Sequence, residues 1–427
     1  MKQSSAAAAE SAFPAFDRER QNGMLTAASA ESAVLRHDSD NSGGAAEGAF
    51  SAFDRQCMKR AFSLARRGEG RTSPNPLVGA VVARDGRILG EGWHRSYGGK
   101  HAEREALDAV LAAGLSPAGS DLYCTLEPCC FTGHGKHQPP CTELIVGSGV
   151  RRVLIANRDP HPAVNGEGVR ALQAAGIAVQ SGLFAEKGEE LNEAFFAFQR
   201  RGRPFVQLKI AQTLDGKIAA LNGNARWITD ESAREEVHRL RGRSDAVLVG
   251  RGTVLADDPE LTVRLAKGRN PVRAVLDSRL SLPDSAKLLS LPDKEKTLIV
   301  CAADADAERM QRLRDRGVTV LPVAAPPDSS GSPAGLPLAP VLAALSERGI
   351  RSVLVEGGRG IFSSFLKEGL WDKLSVFIAP RIMGDGIPAV SGFAAETVQK
   401  AIRLGAVSTR RIGDQLLFEG FHVYRDH

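Results

Sequence analysis

The fold of this chain is decided by three short segments: His101-Ala102-Glu103, Glu127-Pro128-Cys129-Cys130 and Pro139-Pro140-Cys141. One imidazole and two thiolates supply three ligands for a tetrahedral zinc ion, and three protein ligands leave the fourth position for a water. A glutamate two residues after the histidine is placed to carry protons as a general acid and base. The segments therefore predict a hydrolytic zinc site that deaminates an amidine-like carbon, with the ligands His101, Cys129 and Cys141 and the catalytic residue Glu103.

The identity of the ligands is less certain than metal binding itself. Cys130, His134 and His137 lie between the two predicted cysteine ligands and are chemically able to compete with them. A protein of a reducing compartment can also bury a few cysteines without any metal. The order and separation of the three segments favour the metal, because zinc deaminases use that arrangement.

The composition limits the classes of function. A chain of 427 residues is long enough for two or three domains, and a composition of 25% charged and 43% hydrophobic residues is ordinary for a globular protein. A net charge of +5 suits phosphorylated metabolites and is too weak to predict a nucleic-acid partner. Six cysteines, no long apolar run and no secretory signal predict a cytoplasmic protein without a membrane contact.

The chain is predicted to have three parts. Residues 1–50 are rich in Ala, Ser and Gly and predict a disordered extension. Its segment 12–18 is nearly repeated by 49–55, which is either a coincidence of composition or a copy of a docking helix. Residues 51–199 and 200–427 then predict two domains, because the pattern of apolar residues starts again after Arg200-Arg201-Gly202-Arg203-Pro204.

Strands alternate with helices in both domains, which predicts an α/β layer fold. A cluster of Pro, Gly and Ser over 324–339 predicts an exposed loop. In the first domain the predicted helices are 53–65, 101–113 and 141–147, and the predicted strands are 77–83, 88–93, 122–126, 153–156 and 177–179. In the second domain the predicted strands are 205–211, 246–249, 273–276, 297–301, 318–323 and 352–356.

A glycine-rich turn in the second domain predicts a phosphate site. The strand that ends at Glu356 is followed by Gly357-Gly358-Arg359-Gly360 and by a helix predicted from Ile361. Glycines let the backbone approach a pyrophosphate, and the start of a helix supplies free amides. Arg359 would favour NADPH, because a guanidinium pairs well with its additional phosphate. A turn without a ligand is the alternative interpretation.

Longer segments carry a resemblance to a known family. They are Thr72 to Val82, the three zinc segments, Gln207 to Ala219, Arg226 to Thr229 and Gly252 to Arg264. Together they resemble the bifunctional riboflavin-biosynthesis deaminase-reductases over about residues 55–427. The resemblance implies a cytidine-deaminase-like α/β/α layer domain followed by a dihydrofolate-reductase-like α/β domain. It also implies one zinc ion per chain, NADPH, small phosphorylated pyrimidine substrates and a possible homo-oligomer.

The resemblance also implies site residues. In the deaminase half the substrate contacts are Asn75 and Lys136. In the reductase half the substrate contacts are Arg241, Leu261, Arg264 and Glu356, with Lys209 as a further candidate, and Asp257 either assists hydride delivery or only forms a turn. The implied NADPH contacts are Ala211, Trp227, Thr253, Asp257, Ser278, Gly358, Arg359, Gly360, Ile361, Phe362, Ser363 and Ser364.

The chain departs from the family pattern at a few positions. Eleven residues separate Cys129 from Cys141, more than the family usually has, which leaves the roles of His134 and Lys136 open. Ala225 stands where the resemblance would place a serine, so one polar contact with the substrate is expected to be missing. The loop over 159–168 is either a substrate contact or a proline-rich turn.

Two rival functions follow from the same residues. One is a nucleic-acid deaminase, which would need a basic, aromatic surface, whereas the chain has only three Tyr and three Trp. The other is a zinc-stabilised binding protein without turnover.

Overall fold

The computed structural model describes residues 50–131, 138–162, 164–324 and 335–424. The described chain divides into two compact units between Gly202 and Arg203. The predicted extension up to residue 49, most of the predicted loop over 324–339, and His134, Lys136 and His137 lie outside the described residues.

The first unit contains one five-stranded sheet in the order β2-β1-β3-β4-β5, in which β1 is antiparallel to both its neighbours and β3, β4 and β5 are parallel. Its strands are β1 (Gly79–Arg84), β2 (Arg87–Trp93), β3 (Asp121–Leu126), β4 (Arg152–Asn157) and β5 (Ala178–Ser181). Its helices are α1 (Ala52–Ala65), α2 (Ala102–Ala112), α3 (Cys141–Ser148), α4 (Glu167–Ala174), α5 (Ala185–Leu191) and α6 (Glu193–Arg201).

Helices cover both faces of this sheet. Alternate residues of a strand point to opposite faces, so Ala80 and Val82 of β1 pack with α2, while Val81 and Ala83 pack with α1. The central strand β3 is buried along its whole length. The unit is therefore an α/β/α sandwich, which confirms the α/β layer fold predicted from the sequence and the layer arrangement implied by the resemblance.

The second unit contains a nine-stranded sheet in the order β11-β10-β9-β8-β12-β6-β13-β16-β15, and a small sheet of β7 and β14. Its strands are β6 (Phe205–Thr213), β7 (Lys217–Ala220), β8 (Ala246–Gly250), β9 (Val272–Leu276), β10 (Thr297–Ala302), β11 (Thr319–Val323), β12 (Ser352–Gly357), β13 (Lys373–Ala379), β14 (Gly386–Pro388), β15 (Leu404–Ile412) and β16 (Gln415–His422). Its helices are α7 (Glu231–Arg243), α8 (Arg251–Asp257), α9 (Ala307–Asp315), α10 (Leu338–Glu347) and α11 (Arg359–Glu368).

Seven parallel strands run from β11 to β13, and β16 and β15 extend the sheet antiparallel. The parallel strands bury side chains on both faces, with Val247 and Val249 on one face and Ala246 and Leu248 on the other. This is why their sequences are continuous apolar runs. The described residues include no helix long and apolar enough to cross a membrane.

Most predicted boundaries differ from the observed ones by one or two residues, and five strands were missed. β1 begins at Gly79 rather than residue 77, because the backbone of Leu77 is hydrogen-bonded to the side chain of Asn192 instead of to a neighbouring strand. The Leu77 amide donates to Oδ1 of Asn192 at 2.8 Å, and Nδ2 of Asn192 donates to the Leu77 carbonyl at 3.0 Å. α11 begins at Arg359 rather than Ile361, because the extended Gly358 already caps it. The five missed strands are β7, β13, β14, β15 and β16. β15 is an edge strand with mostly exposed side chains, so it lacks an apolar pattern.

Candidate active sites

The first site lies where β3 ends and where α2 and α3 begin. His101 is the residue that precedes α2, Glu103 lies in its first turn, and Cys141 is the first residue of α3. Gly92 of β2 allows the close approach of α2, since a Cβ atom there would lie 2.4 Å from the carbonyl oxygen of Ala102. Three separate elements therefore bring the predicted ligands together.

The geometry of these side chains fits a zinc ion. The Nδ1 atom of His101 lies 3.5 Å from Sγ of Cys129 and 3.3 Å from Sγ of Cys141. Tetrahedral zinc with bonds of about 2.3 Å to sulfur and about 2.0 Å to nitrogen requires a sulfur–nitrogen distance of about 3.5 Å. Within the described ranges these three residues form the one such group of potential ligands, with all ligand atoms within 4.8 Å of one another.

Glu103 faces the ligand cluster from α2. Its side chain is almost completely buried, and this burial raises the pKa of the carboxyl group. The charges of His101 and Cys129 act on the same carboxyl, and Cys141 is its hydrogen-bond partner. A carboxyl beside the open metal position with a raised affinity for protons is suited to general acid–base work.

His94 is a part of this site that sequence reasoning missed. Its Nδ1 lies 2.9 Å from the carbonyl oxygen of Lys100, so that nitrogen carries the proton, and its Nε2 accepts from the amide nitrogen of Asn75 at 3.1 Å. The ring is buried and packs edge-on against His101, with ring centroids 5.5 Å apart. Asn75 is thereby held with a fixed orientation of its amide. The signal in the sequence was a lone histidine directly after strand β2.

Glu127 ties the zinc segment to the loop that follows β4. Its buried carboxylate accepts from the backbone amides of Asp159 at 3.1 Å, Gly166 at 3.0 Å and Val169 at 3.0 Å. Gly168 is required beside it, because a Cβ atom there would lie 2.3 Å from the carbonyl oxygen of Pro128. The loop predicted either to touch substrate or to form a turn is thus fastened to the segment that carries Cys129.

The second site is a cavity of about 1350 Å³ in the second unit. It lies at the carboxyl ends of β6, β8, β9 and β12, where open parallel sheets bind their ligands. All the site residues that the sequence analysis names in the second domain line this cavity, except Ser363. The hydroxyl of Ser363 instead donates to the carbonyl of Arg359 and accepts from the amide of Ser391.

A buried ion pair in the wall of this cavity joins α7 to β12. Arg241 donates to both carboxylate oxygens of Glu356, through Nε at 2.6 Å and Nη2 at 2.8 Å. Despite burial, Arg241 lowers the pKa of the Glu356 carboxyl. Lys209 of β6 lies near the pair, and burial lowers the pKa of its ammonium group. The cavity therefore holds two cationic groups and one carboxylate close together.

The segment from Asp258 to Leu265 forms another wall of the cavity. Leu261 is buried with φ of 55°, a left-handed conformation that is costly for leucine. Arg264 and Leu261 line the cavity from this segment, as does His238 from α7, which sequence reasoning did not select. Trp227 is 60% exposed and lies against Arg234, whose guanidinium carbon is 4.5 Å from the ring centroid.

Fold and sites together define a class of protein: a zinc-dependent deaminase joined to a reductase that binds a dinucleotide. Residues 51–157 match the zinc-binding region of cytidine and deoxycytidylate deaminases, and residues 204–418 match the RibD C-terminal domain. The riboflavin biosynthesis protein RibD of Aquifex aeolicus is 41% identical over 84% of this chain and 96% of its own length. The RibD protein of Bacillus amyloliquefaciens is also 41% identical, over 86% of this chain and 98% of its own length.

Solved structures agree with these matches. A diaminohydroxyphosphoribosylaminopyrimidine deaminase/5-amino-6-(5-phosphoribosylamino)uracil reductase from Thermotoga maritima is 38% identical with a TM-score of 0.75, covering 87% of this chain and 99% of its own. RibD from Acinetobacter baumannii is 34% identical with a TM-score of 0.76 and the same coverage. The chain belongs to the RibD family of bifunctional riboflavin-biosynthesis deaminase-reductases.

Membership confirms several predictions from the sequence. The predicted family, the two-part fold, and the combination of a hydrolytic deaminase with a reductase are all correct. The predicted cofactors, zinc and NADPH, are also confirmed.

Proposed function

We propose that the zinc half removes the 2-amino group of 2,5-diamino-6-ribosylamino-4(3H)-pyrimidinone 5′-phosphate. The reductase half then reduces the ribosyl group of 5-amino-6-(5-phosphoribosylamino)uracil to ribityl. The observation that carries the proposal is the triad His101, Cys129 and Cys141 at zinc-ligand distances beside a buried Glu103. The name of the Thermotoga maritima relative, whose length is almost completely covered, supports the choice of substrates.

In the first half, His101, Cys129 and Cys141 would hold the zinc. When bound, zinc lowers the pKa of a water ligand to about 7 and so supplies a nucleophile at neutral pH. We assign the proton transfers to Glu103, which takes one proton from the attacking water and delivers it to the ring nitrogen. It then takes the remaining proton of the same water oxygen and delivers it to the amino group, which leaves as ammonia as the carbonyl forms. The amide of Asn75, fixed by His94, would orient the pyrimidine ring.

In the second half, the glycines at the start of α11 would bind the cofactor's phosphates with their backbone amides. NADPH supplies the hydride when bound. We assign Arg241, Glu356 and Lys209 to the ribosyl group, because they form one buried polar cluster in the cavity. Arg264 would bind the 5′-phosphate, since its exposed guanidinium lines the same cavity.

We further propose that residues 51–199 and 200–427 are the two functional domains, and that the substrate contacts include Lys136 outside the described residues. The division of the chain between Gly202 and Arg203 supports this boundary.

The test uses the full chain loaded with zinc. Purified protein is incubated with the diaminopyrimidine nucleotide and NADPH, while ammonia release and the loss of NADPH absorbance are followed. Both signals should appear, and ammonia should precede NADPH oxidation. Absence of both signals would refute the proposal and favour a binding protein without turnover.

A matched variant assigns the catalytic carboxyl. Glu103→Gln keeps the size of the side chain but removes its acidity, so ammonia release should fall by at least about 100-fold. Zinc content should stay at the wild-type level, and reductase activity on the supplied intermediate is the control for folding. Retained deamination in this variant would remove Glu103 from the mechanism.

A further inference from the structure

His238 of α7 binds the backbone of the cavity wall that carries Arg264. Its Nδ1 accepts from the amide of Arg264 at 3.0 Å and lies 3.5 Å from the amide nitrogen of Leu265. Only 5% of the His238 side chain is exposed, and the residue lines the cavity. A backbone amide can only donate, so Nδ1 must be an acceptor and the neutral ring carries its hydrogen on Nε2.

Two other side chains fasten the same segment. Arg241 donates through Nη1 to the carbonyl of Thr262 at 3.0 Å, and Asn270 accepts from the amide of Val263 at 2.9 Å. His238 and Arg241 are three residues apart on α7, so they lie on one face of the helix. α7 therefore supplies the arginine of the buried ion pair and also supports the neighbouring wall of the cavity.

The side chain of Arg264 has little support of its own. It is 56% exposed, and its guanidinium contacts Glu260 and Thr262 of the same segment at 3.3 and 3.2 Å. Contacts within one segment do not fix that segment relative to the cavity. The position of the guanidinium consequently depends on how the backbone at Arg264 is held.

The charges around His238 keep it in the form that can accept. Burial lowers its pKa to about 4, and the cations Arg241, Arg264 and Lys209 act in the same direction, while Glu356 opposes them. At neutral pH the ring is uncharged, and its Nδ1 lone pair is available to the backbone.

We propose that His238 is a positioning residue of the reductase site: its Nδ1 fixes the backbone at Arg264 and thereby sets the affinity for the phosphate group of the substrate. The inference rests on the proposed function, because it assigns Arg264 to a phosphorylated substrate.

Three substitutions of His238 separate this role from simple packing. His238→Asn places an amide oxygen close to the position of Nδ1 and can accept from the Arg264 amide. His238→Gln places its amide nearer to Nε2, and His238→Leu has no acceptor. The KM for 5-amino-6-(5-phosphoribosylamino)uracil should rise about tenfold in the Leu and Gln variants, with kcat within about twofold of wild type, as expected for one lost hydrogen bond. The Asn variant should recover most of the wild-type KM.

A double-mutant cycle with Arg264→Ala provides the decisive readout. If His238 acts through Arg264, His238→Leu should raise KM by less than about twofold once Arg264 is absent. Substrate lacking the 5′-phosphate should likewise show the same KM in the wild-type and Leu proteins. Independent effects of the two substitutions, an unchanged KM in His238→Leu, or a fall in kcat alone would overturn the inference.

A binding control distinguishes the possible failures. NADPH affinity, measured by fluorescence titration without turnover, should stay within about threefold of wild type in every His238 variant that is folded. If the Leu variant loses NADPH binding, the KM values of the Asn and Gln variants test the inference instead: a KM as high in the Asn variant as in the Gln variant would overturn it. A wild-type protein that fails to oxidise NADPH with this substrate would refute the proposed function itself, whereas an active wild type with an insensitive His238 refutes only the inference.

Discussion

Replacing Glu356 by glutamine should unfold the reductase unit at markedly lower temperature. The carboxylate receives two hydrogen bonds from Arg241, at 2.6 and 2.8 Å, and 11% and 7% of the Arg241 and Glu356 side chains are exposed. Removing one partner of a buried ion pair costs about 3–5 kcal/mol, because the other charge stays buried without compensation. For a domain of this size, about 2–4 °C is lost for each kcal/mol, so the transition should fall by about 10 °C.

The loss should be larger than for an ordinary pair, because Lys209 also depends on this carboxylate. Glu356 raises the pKa of the Lys209 ammonium against the effects of burial and of Arg241. In Glu356→Gln the ammonium loses that support, so Lys209 should release its proton more readily.

The assay is thermal and urea unfolding of the full chain, followed by circular dichroism and by the fluorescence of the tryptophans. Glu396→Gln is the matched control: Glu396 pairs with Lys400 on the exposed surface, and surface pairs contribute little. The double variant Arg241→Met with Glu356→Leu removes both charges and should be less destabilised than Glu356→Gln alone. A Glu356→Gln protein as stable as the control, or a double variant with the sum of two large losses, would refute the reasoning.

Three further predictions concern single side chains. Cys141→Ser should reduce bound zinc, measured by atomic absorption, to below half of the wild-type content, because a hydroxyl is a poor substitute for a thiolate; full retention of zinc would contradict the ligand assignment. Glu127→Gln should destabilise the deaminase unit in urea by about 1–3 kcal/mol, since its amide nitrogen cannot accept from the backbone amides that the carboxylate binds; an unchanged midpoint would show that these bonds contribute nothing. The pKa of His238 is 6.5 in the unfolded chain, and burial lowers it to about 4 in the folded chain. The neutral His238 therefore contributes about 3 kcal/mol to the free energy of unfolding above pH 6.5, and this contribution should be lost as the pH falls from 6.5 to 4. His238→Asn should therefore show a smaller loss of stability over that range than wild type, and parallel pH curves would contradict the shift.

The metal site was largely predictable from the sequence, and the reason is local. The candidate zinc ligands are few and chemically distinctive, and they lie at the starts of helices and the end of a strand that the apolar pattern already indicates. The sequence could not decide between Cys129 and its neighbour Cys130, because the two thiols are chemically identical and only the fold determines which of them faces His101. In the folded chain it is Cys129 that lies 3.5 Å from His101.

For the reductase site, the resemblance to the family indicated which residues belong to the site but not how they contact one another. The pairing of Arg241 with Glu356 joins residues 115 positions apart, and nothing in their local sequence indicates that one neutralises the other. His94 and His238 were missed for the same reason: a single histidine is informative only when its partners are known, and those partners are backbone groups of other segments.

The sequence by itself determined the chemistry that each half of the protein can perform: a tetrahedral site with an open position, a neighbouring general acid and base, and a glycine-rich turn for phosphate. Its periodic apolar runs also determined the alternation of strands and helices. Only the tertiary structure decided which charged groups compensate one another and which side chains hold the cavity walls. Those outcomes depend on the order of strands in the sheet, which brings the ends of β6, β8, β9 and β12 to one edge, and short-range patterns do not specify that order.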